Sequence, residues 1–287
     1  MPEDVADFEL VLQELVRHRG IDFRAYRSAS LARRVSRRMD QVGSGTYARR
    51  LRDDTDEYGA LCTEFPVNHT TFFRNPGCWT HLAATILPAM IQRRADGQLR
   101  AWTAGCSTGQ EAYTVAMLLA EAVGPDRLPA APPIGSSAAI RCRRDHRPFT
   151  VFATDVSDAA IRTAARGTYS EEHAASIPLA IRDRYLTRVA GEYRVTASLR
   201  ACVVFGRHDL LHDVPLPSID LVTCRNVMMY FTPEAQRRVL TSFAFALSSR
   251  DHGALLVGAH ERPSVWSDRF RAAPGHHGFY SSLRLPA

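Results

Sequence analysis

The stretch TAGCSTGQEAYTVAMLLAE, residues 103–121, carries a glycine-punctuated turn directly into an apolar segment. The residues LRAW before it are predicted to form a strand, and the residues from about Gln110 to Ala122 repeat apolar side chains at helical spacing. A strand that passes through a glycine turn into a helix is typical of an open α/β sheet, in which ligands bind beyond the carboxyl ends of the strands. We therefore expect the turn to face a ligand.

The glycine pattern narrows the class of ligand. The turn reads AGCSTG, which matches neither the G-x-G-x-x-G of dinucleotide sites nor the Gly-Lys-Ser/Thr of phosphate-binding loops. A dinucleotide or a nucleoside triphosphate is poorly supported, and a small cofactor remains. The six cysteines show no CxxC pair and no histidine partner at metal spacing, so the sequence predicts no metal site.

Strands and helices alternate along the chain after residue 76. The predicted strands are LRAWTAG, FTVFATD, SIDLVTC and GALLVGA, with short β segments at 192–205. The predicted helices cover residues 79–93, 110–122, 158–166 and 234–248. Pro88 is expected to kink the first of these helices. The alternation predicts an α/β fold with a mostly parallel, doubly wound sheet.

Residues 1–70 are predicted to form a separate all-helical domain, because apolar residues recur there at helical spacing. Residues 71–287 contain the predicted strands, and residues 124–148, rich in Pro, Ala, Ser and Arg, are predicted to be a loop. No basic and apolar leader opens the chain, and no apolar run approaches bilayer length, so a cytoplasmic protein without membrane insertion is expected. The net charge of +6 suits an acidic partner without identifying one.

Two carboxylates follow the strands in positions that suit a ligand. Asp155 ends the strand FTVFATD, where it can accept hydrogen bonds from both ribose hydroxyls of an adenosyl group. The alternative is a cap on the helix at 158–166, for which Ser157 competes. Glu111 lies in the first helical turn after the glycines, and it either contacts the ligand or stabilises the helix dipole. The residues themselves leave both alternatives open.

Four motifs extend over nearly the whole chain. They are NHTTFFRNP (68–76), WTAGCSTGQEAY (102–113), ATDVS (153–157) and DLVTCRNVMMYF (220–231). In this order, and with an arginine-rich second helix before them, they resemble the chemotaxis receptor methyltransferases, the CheR type of protein-glutamate O-methyltransferase. Any one motif alone would be a weak signal, whereas four in register are highly specific.

The resemblance implies a Rossmann-like domain that binds S-adenosylmethionine, with a small β-subdomain at about 170–205. The implied reaction transfers a methyl group to glutamate carboxylates of a chemoreceptor and leaves S-adenosylhomocysteine. The positions that match the family's cofactor contacts are Asn68, Thr70, Arg74, Gly105, Glu111, Asp155, Asp209, Leu210 and Asn226. Arg74 and Tyr230 match the positions that flank the transferred methyl group and are the catalytic candidates, although Tyr230 has core packing as its alternative. Arg225 is expected to be a structural ion-pair partner.

The arginine-rich second helix suggests how a receptor would be held. Its candidate substrate-binding residues are Arg33, Arg34, Arg37 and Arg38. Arg33 and Arg37 lie one turn apart, opposite an apolar stripe that Leu31, Val35 and Met39 form. Such a basic face suits the acidic, glutamate-bearing helices of a receptor signalling domain. Without the resemblance, solvated charge is the ordinary interpretation.

The chain departs from the family at two places. Asp209 stands where Asn is usual, and since a carboxylate cannot donate a hydrogen bond, its contact with adenine is in doubt. The stretch LTRVAGEYRV (186–195) lacks the longer glycine-containing turn of members that bind a receptor's C-terminal pentapeptide, so no pentapeptide tether is predicted. Two alternatives remain: a non-catalytic module that binds S-adenosylmethionine or its product, and a nucleic-acid methyltransferase. Against the latter, the sequence shows no basic patch interleaved with aromatic residues.

Overall fold

The computed structural model describes residues 8, 10–14, 28–42, 47–54, 57, 61, 70–93, 98–130, 147–248, 253–258, 261, 269–273 and 278–282. The chain divides into two compact units. The smaller takes in residues 1–68, 227–238 and 263–265, and the larger takes in residues 69–226, 239–262 and 266–287. The two units are not continuous in sequence, and the domains at residues 1–70 and 71–287 remain a prediction.

Two sheets organise the larger unit. The strands are β1 (Leu99–Ala104), β2 (Phe149–Asp155), β3 (Thr168–Tyr169), β4 (Leu186–Val189), β5 (Glu192–Val195), β6 (Val203–Arg207), β7 (Leu221–Cys224), β8 (Ala254–Val257), β9 (Phe270–Ala272) and β10 (Phe279–Ser282). Seven of them form one sheet in the order β6-β2-β1-β7-β8-β10-β9, and the order β3-β5-β4 forms a smaller one. Neighbours from β6 to β8 run parallel, whereas β10 is antiparallel to both of its neighbours. The α/β class with a mostly parallel sheet is confirmed.

The helices include those predicted at 110–122, 158–166 and 234–248, together with short helices that the periodicity did not predict. They are α1 (Ser28–Val42), α2 (Tyr47–Asp53), α3 (Pro76–His81), α4 (Leu87–Gln92), α5 (Gln110–Val123), α6 (Asp158–Arg166), α7 (Glu171–Ala174), α8 (Leu179–Tyr185), α9 (Ala197–Arg200) and α10 (Pro233–Ser248). In the described part of the chain, none has both the length and the apolar character needed to cross a bilayer.

The kink expected at Pro88 takes the form of a wider helical turn. A π-helical stretch, Leu82–Ile86, joins α3 to α4, and the N–H of Leu87 bonds to the carbonyl of Leu82, five residues earlier. Proline lacks an N–H and crowds the carbonyl of the preceding turn, so a helix that contains it must widen or bend there. Leu82 and Leu87 remain fully buried, as the apolar pattern predicts.

The centre of the large sheet is buried on both faces. All residues of β7 and β8 are buried, as expected for parallel strands that helices cover on both sides. Trp102 on β1 is fully buried and packs edge-on against Phe243 of α10 at 5.4 Å between ring centroids. Its Nε1–H donates to Thr154 Oγ1 on β2 at 2.9 Å. This bond ties together the two strands whose ends carry the candidate site.

The prediction for residues 192–205 was right in part. β5 and β6 are strands, but α9 between them is a helical turn, and β6 belongs to the large sheet while β5 belongs to the small one. The chain changes sheets here, and the helical turn supplies the change of direction. β4 and β5 form a tight hairpin around Ala190 and Gly191, both with positive φ, which is the short turn expected from LTRVAGEYRV.

Gly109→Ala should destabilise the protein more than Gly191→Ala. Both glycines have positive φ, 96° and 86°, so alanine is strained at either by about 1–2 kcal/mol. A Cβ on Gly109 would lie 2.8 Å from Ala164 Cβ and 2.9 Å from the Tyr169 hydroxyl, whereas on Gly191 it would meet nothing within 4 Å. Overpacking adds about 1–3 kcal/mol at Gly109 alone. Urea denaturation measures both losses of unfolding free energy, and equal losses would contradict the expectation.

Candidate functional site

The glycine turn leaves β1 at its carboxyl end and is bonded to the neighbouring end of β2. The N–H groups of Gly105 and Cys106 both donate to the carbonyl of Thr154, at 2.8 and 2.9 Å. Gly105, Ser107 and Gly109 have φ of 74°, 50° and 96°, in the left-handed region where glycine avoids the strain of a Cβ. Ser107 accepts that strain, and its N–H is directed to the side chain that ends β2.

That side chain is Asp155, which is only 7% exposed. Its Oδ2 accepts the N–H of Ser107 at 2.8 Å, and its Oδ1 accepts the N–H of Ser157 at 2.9 Å. Helix α6 is capped by Ser157, whose Oγ accepts the N–H of Ala160, so Asp155 is not the helix cap. Burial raises the pKa of Asp155 above its usual range, and the backbone N–H groups oppose this shift.

An ion pair between buried Arg225 and partly buried Glu111 crosses the edge of the sheet between the start of α5 and the end of β7. Glu111 Oε2 lies 3.3 Å from Nη1 of Arg225, whose guanidinium also stacks over the Trp79 ring at 4.9 Å. Nη2 of Arg225 donates to the carbonyl of Arg74 and to Asn75 Oδ1, both at 2.8 Å. Burial raises the pKa of Glu111, and the charge of Arg225 opposes the shift. Arg225 is thus the structural ion-pair partner that the sequence suggested.

The backbone around Arg74 is held on both sides, while its side chain is exposed. Besides Arg225, the carbonyl of Arg74 accepts the Nε1–H of Trp79 at 2.8 Å. Before it, Phe72 is buried, and the N–H of Phe73 donates to Thr114 Oγ1 on α5 at 3.2 Å. The guanidinium of Arg74 therefore extends from backbone that is bonded to α5 and to the end of β7.

Asn226, directly after Arg225, is positioned through an acid that the sequence analysis missed. The N–H groups of Asn226 and Gly258 both donate to Oε2 of Glu261, at 2.7 and 2.9 Å. Asn226 has a φ of 59°, a left-handed conformation that Asn tolerates better than most residues. Because these two donors to Glu261 are backbone groups, no side-chain pattern in the sequence could predict the contact.

The carboxylate of Asp209 bonds within its own turn. Its Oδ1 accepts the N–H of Leu211 at 2.9 Å, and its Oδ2 lies 3.0 Å from Nδ1 of His212. Leu210 is partly buried in the same turn. The turn adjoins the end of β2, because the N–H of His208 donates to the carbonyl of Asp155 at 3.0 Å. The residue that departs from the family therefore stabilises the local loop.

The structure gathers most of the predicted cofactor positions of the larger unit at one edge of the sheet. These are Gly105, Glu111, Asp155, Asp209 and Asn226, with Leu210 beside Asp209 and Arg74 joined through Arg225. Thr70 is partly buried, and Asn68 lies outside the described residues. Tyr230 is partly exposed in the 3₁₀ turn Met228–Tyr230 and belongs to the smaller unit.

The four candidate arginines of α1 differ in their surroundings. Arg33 and Arg37 are exposed, and nothing is described of the side chain of Arg34. Arg38 donates from Nε and Nη2 to both oxygens of Glu57 at 2.8 Å, and Glu57 also accepts the hydroxyl of Tyr47 at 2.6 Å. The guanidinium of Arg38 is therefore engaged in a bidentate pair inside the smaller unit.

Comparison with known families identifies the chain along nearly its whole length. The family model described as "CheR methyltransferase, SAM binding domain" matches residues 68–130 and 136–279. The model described as "CheR methyltransferase, all-alpha domain" matches residues 6–65.

Curated relatives agree with this match. A chemotaxis protein methyltransferase from Listeria monocytogenes is 28% identical over 268 residues, covering 91% of this chain and 92% of the relative. Its counterpart from Escherichia coli is 29% identical over 279 residues, covering 92% and 87%. An uncharacterised 104.1 kDa protein from Rhodobacter capsulatus is 36% identical over 268 residues, and the match covers 92% of this chain but only 26% of that relative.

Similarity to solved structures is lower. A TehB-like S-adenosylmethionine-dependent methyltransferase from Corynebacterium glutamicum has 13% identity and a TM-score of 0.35, covering 72% of this chain and 94% of that one. The assignment to a family rests on the two family models, which together match most of the chain. The chain belongs to the CheR methyltransferase family, and it is an S-adenosylmethionine-dependent methyltransferase.

Proposed function

We propose that the protein methylates glutamate side chains in the cytoplasmic helical domain of a chemoreceptor, which yields glutamyl methyl esters and S-adenosylhomocysteine. The observation that carries the proposal is the chain of contacts from Glu111 through Arg225 to the carbonyl of Arg74. It connects the helix that follows the cofactor turn to the segment that bears the candidate substrate-gripping arginine. The names of the Listeria and Escherichia coli relatives support a chemotaxis substrate.

The residues at the sheet edge fit the cofactor. Both oxygens of Asp155 accept backbone N–H groups, and since a carboxylate oxygen has more than one acceptor position, the carboxylate can still accept from the ribose. Ionised Glu111 offers negative charge to the ammonium group of the cofactor. The remaining proposed contacts come from Asn68, Thr70, Arg74, Gly105, Asp209, Leu210 and Asn226. When bound, S-adenosylmethionine supplies an electrophilic methyl group on a positively charged sulfur.

The proposed chemistry needs alignment and no general base. A glutamate side chain has an ordinary pKa of about 4.3, so the nucleophile is already ionised at neutral pH. In this proposal Arg74 grips one carboxylate oxygen with its rigid guanidinium, and Tyr230 orients either the methyl group or the incoming oxygen through its hydroxyl. That oxygen forms a bond to the methyl carbon as the carbon–sulfur bond breaks, and no proton moves. Correct orientation in a site that excludes water supplies the rate enhancement.

Asp155→Asn should weaken the binding of S-adenosylhomocysteine by tenfold or more, roughly 1.4 kcal/mol. The amide has a single acceptor oxygen and turns an NH₂ group toward a backbone N–H, so it cannot hold the turn and the ribose together. Asp158→Asn, three residues later in the first turn of α6, is the matched control and should leave the affinity within twofold. Isothermal titration calorimetry measures both variants, and equal affinities for the two would remove Asp155 from the cofactor site.

The substrate is tested by incubating the protein with radiolabelled S-adenosylmethionine and purified receptor cytoplasmic fragments. Base-labile label on the receptor is the expected result, because alkali hydrolyses glutamyl methyl esters. Label on RNA or DNA would support a nucleic-acid methyltransferase instead. Cofactor binding without transfer to any of these would support a non-catalytic module.

In the same assay, Arg74→Ala should abolish most of the transfer while S-adenosylhomocysteine affinity stays within roughly tenfold. The backbone at Arg74 is held through its carbonyl, so removal of the side chain leaves the segment in place. Arg93→Ala, an exposed arginine that follows α4, is the control and should transfer normally. Equal loss of binding and transfer in Arg74→Ala would show that its role is misassigned.

The exposed arginines of α1 are proposed to bind the acidic receptor helices. The double variant Arg33→Ala/Arg37→Ala should raise the KM for the receptor fragment about tenfold at low salt and flatten its salt dependence, because screening acts on exposed charges. The affinity for S-adenosylhomocysteine should not change. Arg49→Ala on α2, also exposed, serves as the control. An unchanged KM in the double variant would show that these arginines do not bind the receptor and are ordinary solvated charges.

A further inference from the structure

A phenol from the small sheet reaches the glycine turn. Tyr169 on β3 is 4% exposed, and its hydroxyl donates to the carbonyl of Thr108 at 2.8 Å. On the other side of the same peptide unit, the N–H of Gly109 donates to the carbonyl of Cys106 at 3.0 Å. The peptide between Thr108 and Gly109 is therefore held from both sides, by the turn itself and by a strand 61 residues further along the chain.

Glycine at position 109 makes such a restraint useful. Packing against α6 excludes a side chain there, because an added Cβ would lie 2.8 Å from Ala164 Cβ. Glycine, however, populates both signs of φ with similar ease, so the peptide that precedes it rotates more readily than it would before another residue. Rotation of this peptide would break the bond between Gly109 and Cys106 that closes the turn.

Tyr169 is itself firmly placed. Its ring packs edge-on against Phe72 at 4.8 Å and against Tyr113 at 6.1 Å between centroids. Burial raises the pKa of Tyr169 well above its usual range, so the hydroxyl keeps its proton at neutral pH and can donate to the carbonyl of Thr108.

We propose that Tyr169 is a positioning residue for the cofactor: its hydroxyl locks the Thr108–Gly109 peptide and so keeps the turn in the conformation that binds S-adenosylmethionine. The inference rests on the proposed location of the cofactor at this turn. The Cys106–Ser107 peptide accepts the N–H of Gly109 at its carbonyl and donates the N–H of Ser107 to Asp155, so the locked peptide and the proposed ribose-binding carboxylate form one hydrogen-bonded unit. A turn that is ordered before binding loses less entropy on binding.

The test compares Tyr169→Phe with Tyr113→Phe. Tyr113 is fully buried, and its hydroxyl donates to the carbonyl of Ala164 at 3.1 Å, so each variant loses one bond from a buried phenol to a carbonyl. Tyr169→Phe should raise the Kd for S-adenosylhomocysteine and the KM for S-adenosylmethionine five- to tenfold, with kcat within twofold. Tyr113→Phe should lower the Tm by about as much as Tyr169→Phe does, and it should leave the Kd for S-adenosylhomocysteine within twofold.

The outcomes separate this inference from the proposed function. If the unaltered protein binds S-adenosylhomocysteine and Tyr169→Phe binds it equally well, the inference fails and the cofactor site stands. If the unaltered protein does not bind it, the proposed site fails. Equal weakening in both variants also overturns the inference, because it would reflect general destabilisation.

A second measurement needs no variant and can still overturn the inference if Tyr169→Phe does not fold. In the unaltered protein, the amide of Gly109 should exchange with deuterium at least tenfold more slowly than the amide of Gly191, after correction for neighbouring residues. Gly191 has a similar positive φ and nothing within 4 Å of an added Cβ. Exchange at Gly109 that is as fast as at Gly191 would show that the peptide is not locked.

Discussion

The left-handed backbone of the turn between β1 and α5 is the constraint on which the rest of the site depends. Positive φ at Gly105, Ser107 and Gly109 lets the chain leave one strand, pass the end of its neighbour and start a helix within five residues. The turn bonds to Thr154 and Asp155 because β1 and β2 are adjacent and in register, with Ala104 opposite Thr154. The turn conformation therefore depends on β2 lying beside β1, and together they determine the position of the Asp155 carboxylate.

Charged groups at this edge lie in buried or partly buried positions, where desolvation disfavours the charged form. Burial raises the pKa of Asp155 and of Glu111, so each would tend to take up a proton if it were alone. The backbone N–H groups of Ser107, Val156 and Ser157 oppose this for Asp155, and Arg225 opposes it for Glu111. Removal of one partner of a buried ion pair typically costs about 3–5 kcal/mol. Arg225 therefore stabilises the ionised edge as well as the segment that carries Arg74.

Periodicity predicted the regular elements well, because strands and helices repeat their apolar residues at different spacings. The predicted strand FTVFATD and the helix at 158–166 coincide with β2 and α6. The contacts that the sequence did not predict have a common cause, which is that they join residues far apart in the chain or involve backbone groups. Glu261 bonds to backbone N–H groups, and Arg38 bonds to Glu57, 19 residues away, so neither contact leaves a local pattern. The helical turn α9 exists because the chain changes sheets there, which no single segment encodes.

If Arg74 holds the substrate as proposed, selectivity for glutamate over glutamine follows from charge and needs no dedicated pocket. A glutamine side chain is neutral, so it neither attracts a guanidinium as a carboxylate does nor attacks an electrophilic carbon as readily. Transfer to an ionised carboxylate moves no proton, so the demand on the protein is geometric. The structure meets such a demand by fixing backbone: the carbonyl of Arg74 is bonded to Trp79 and to Arg225, while its guanidinium is left exposed. An exposed side chain whose backbone is fixed in this way can reach a partner's surface and still present its charge at one place.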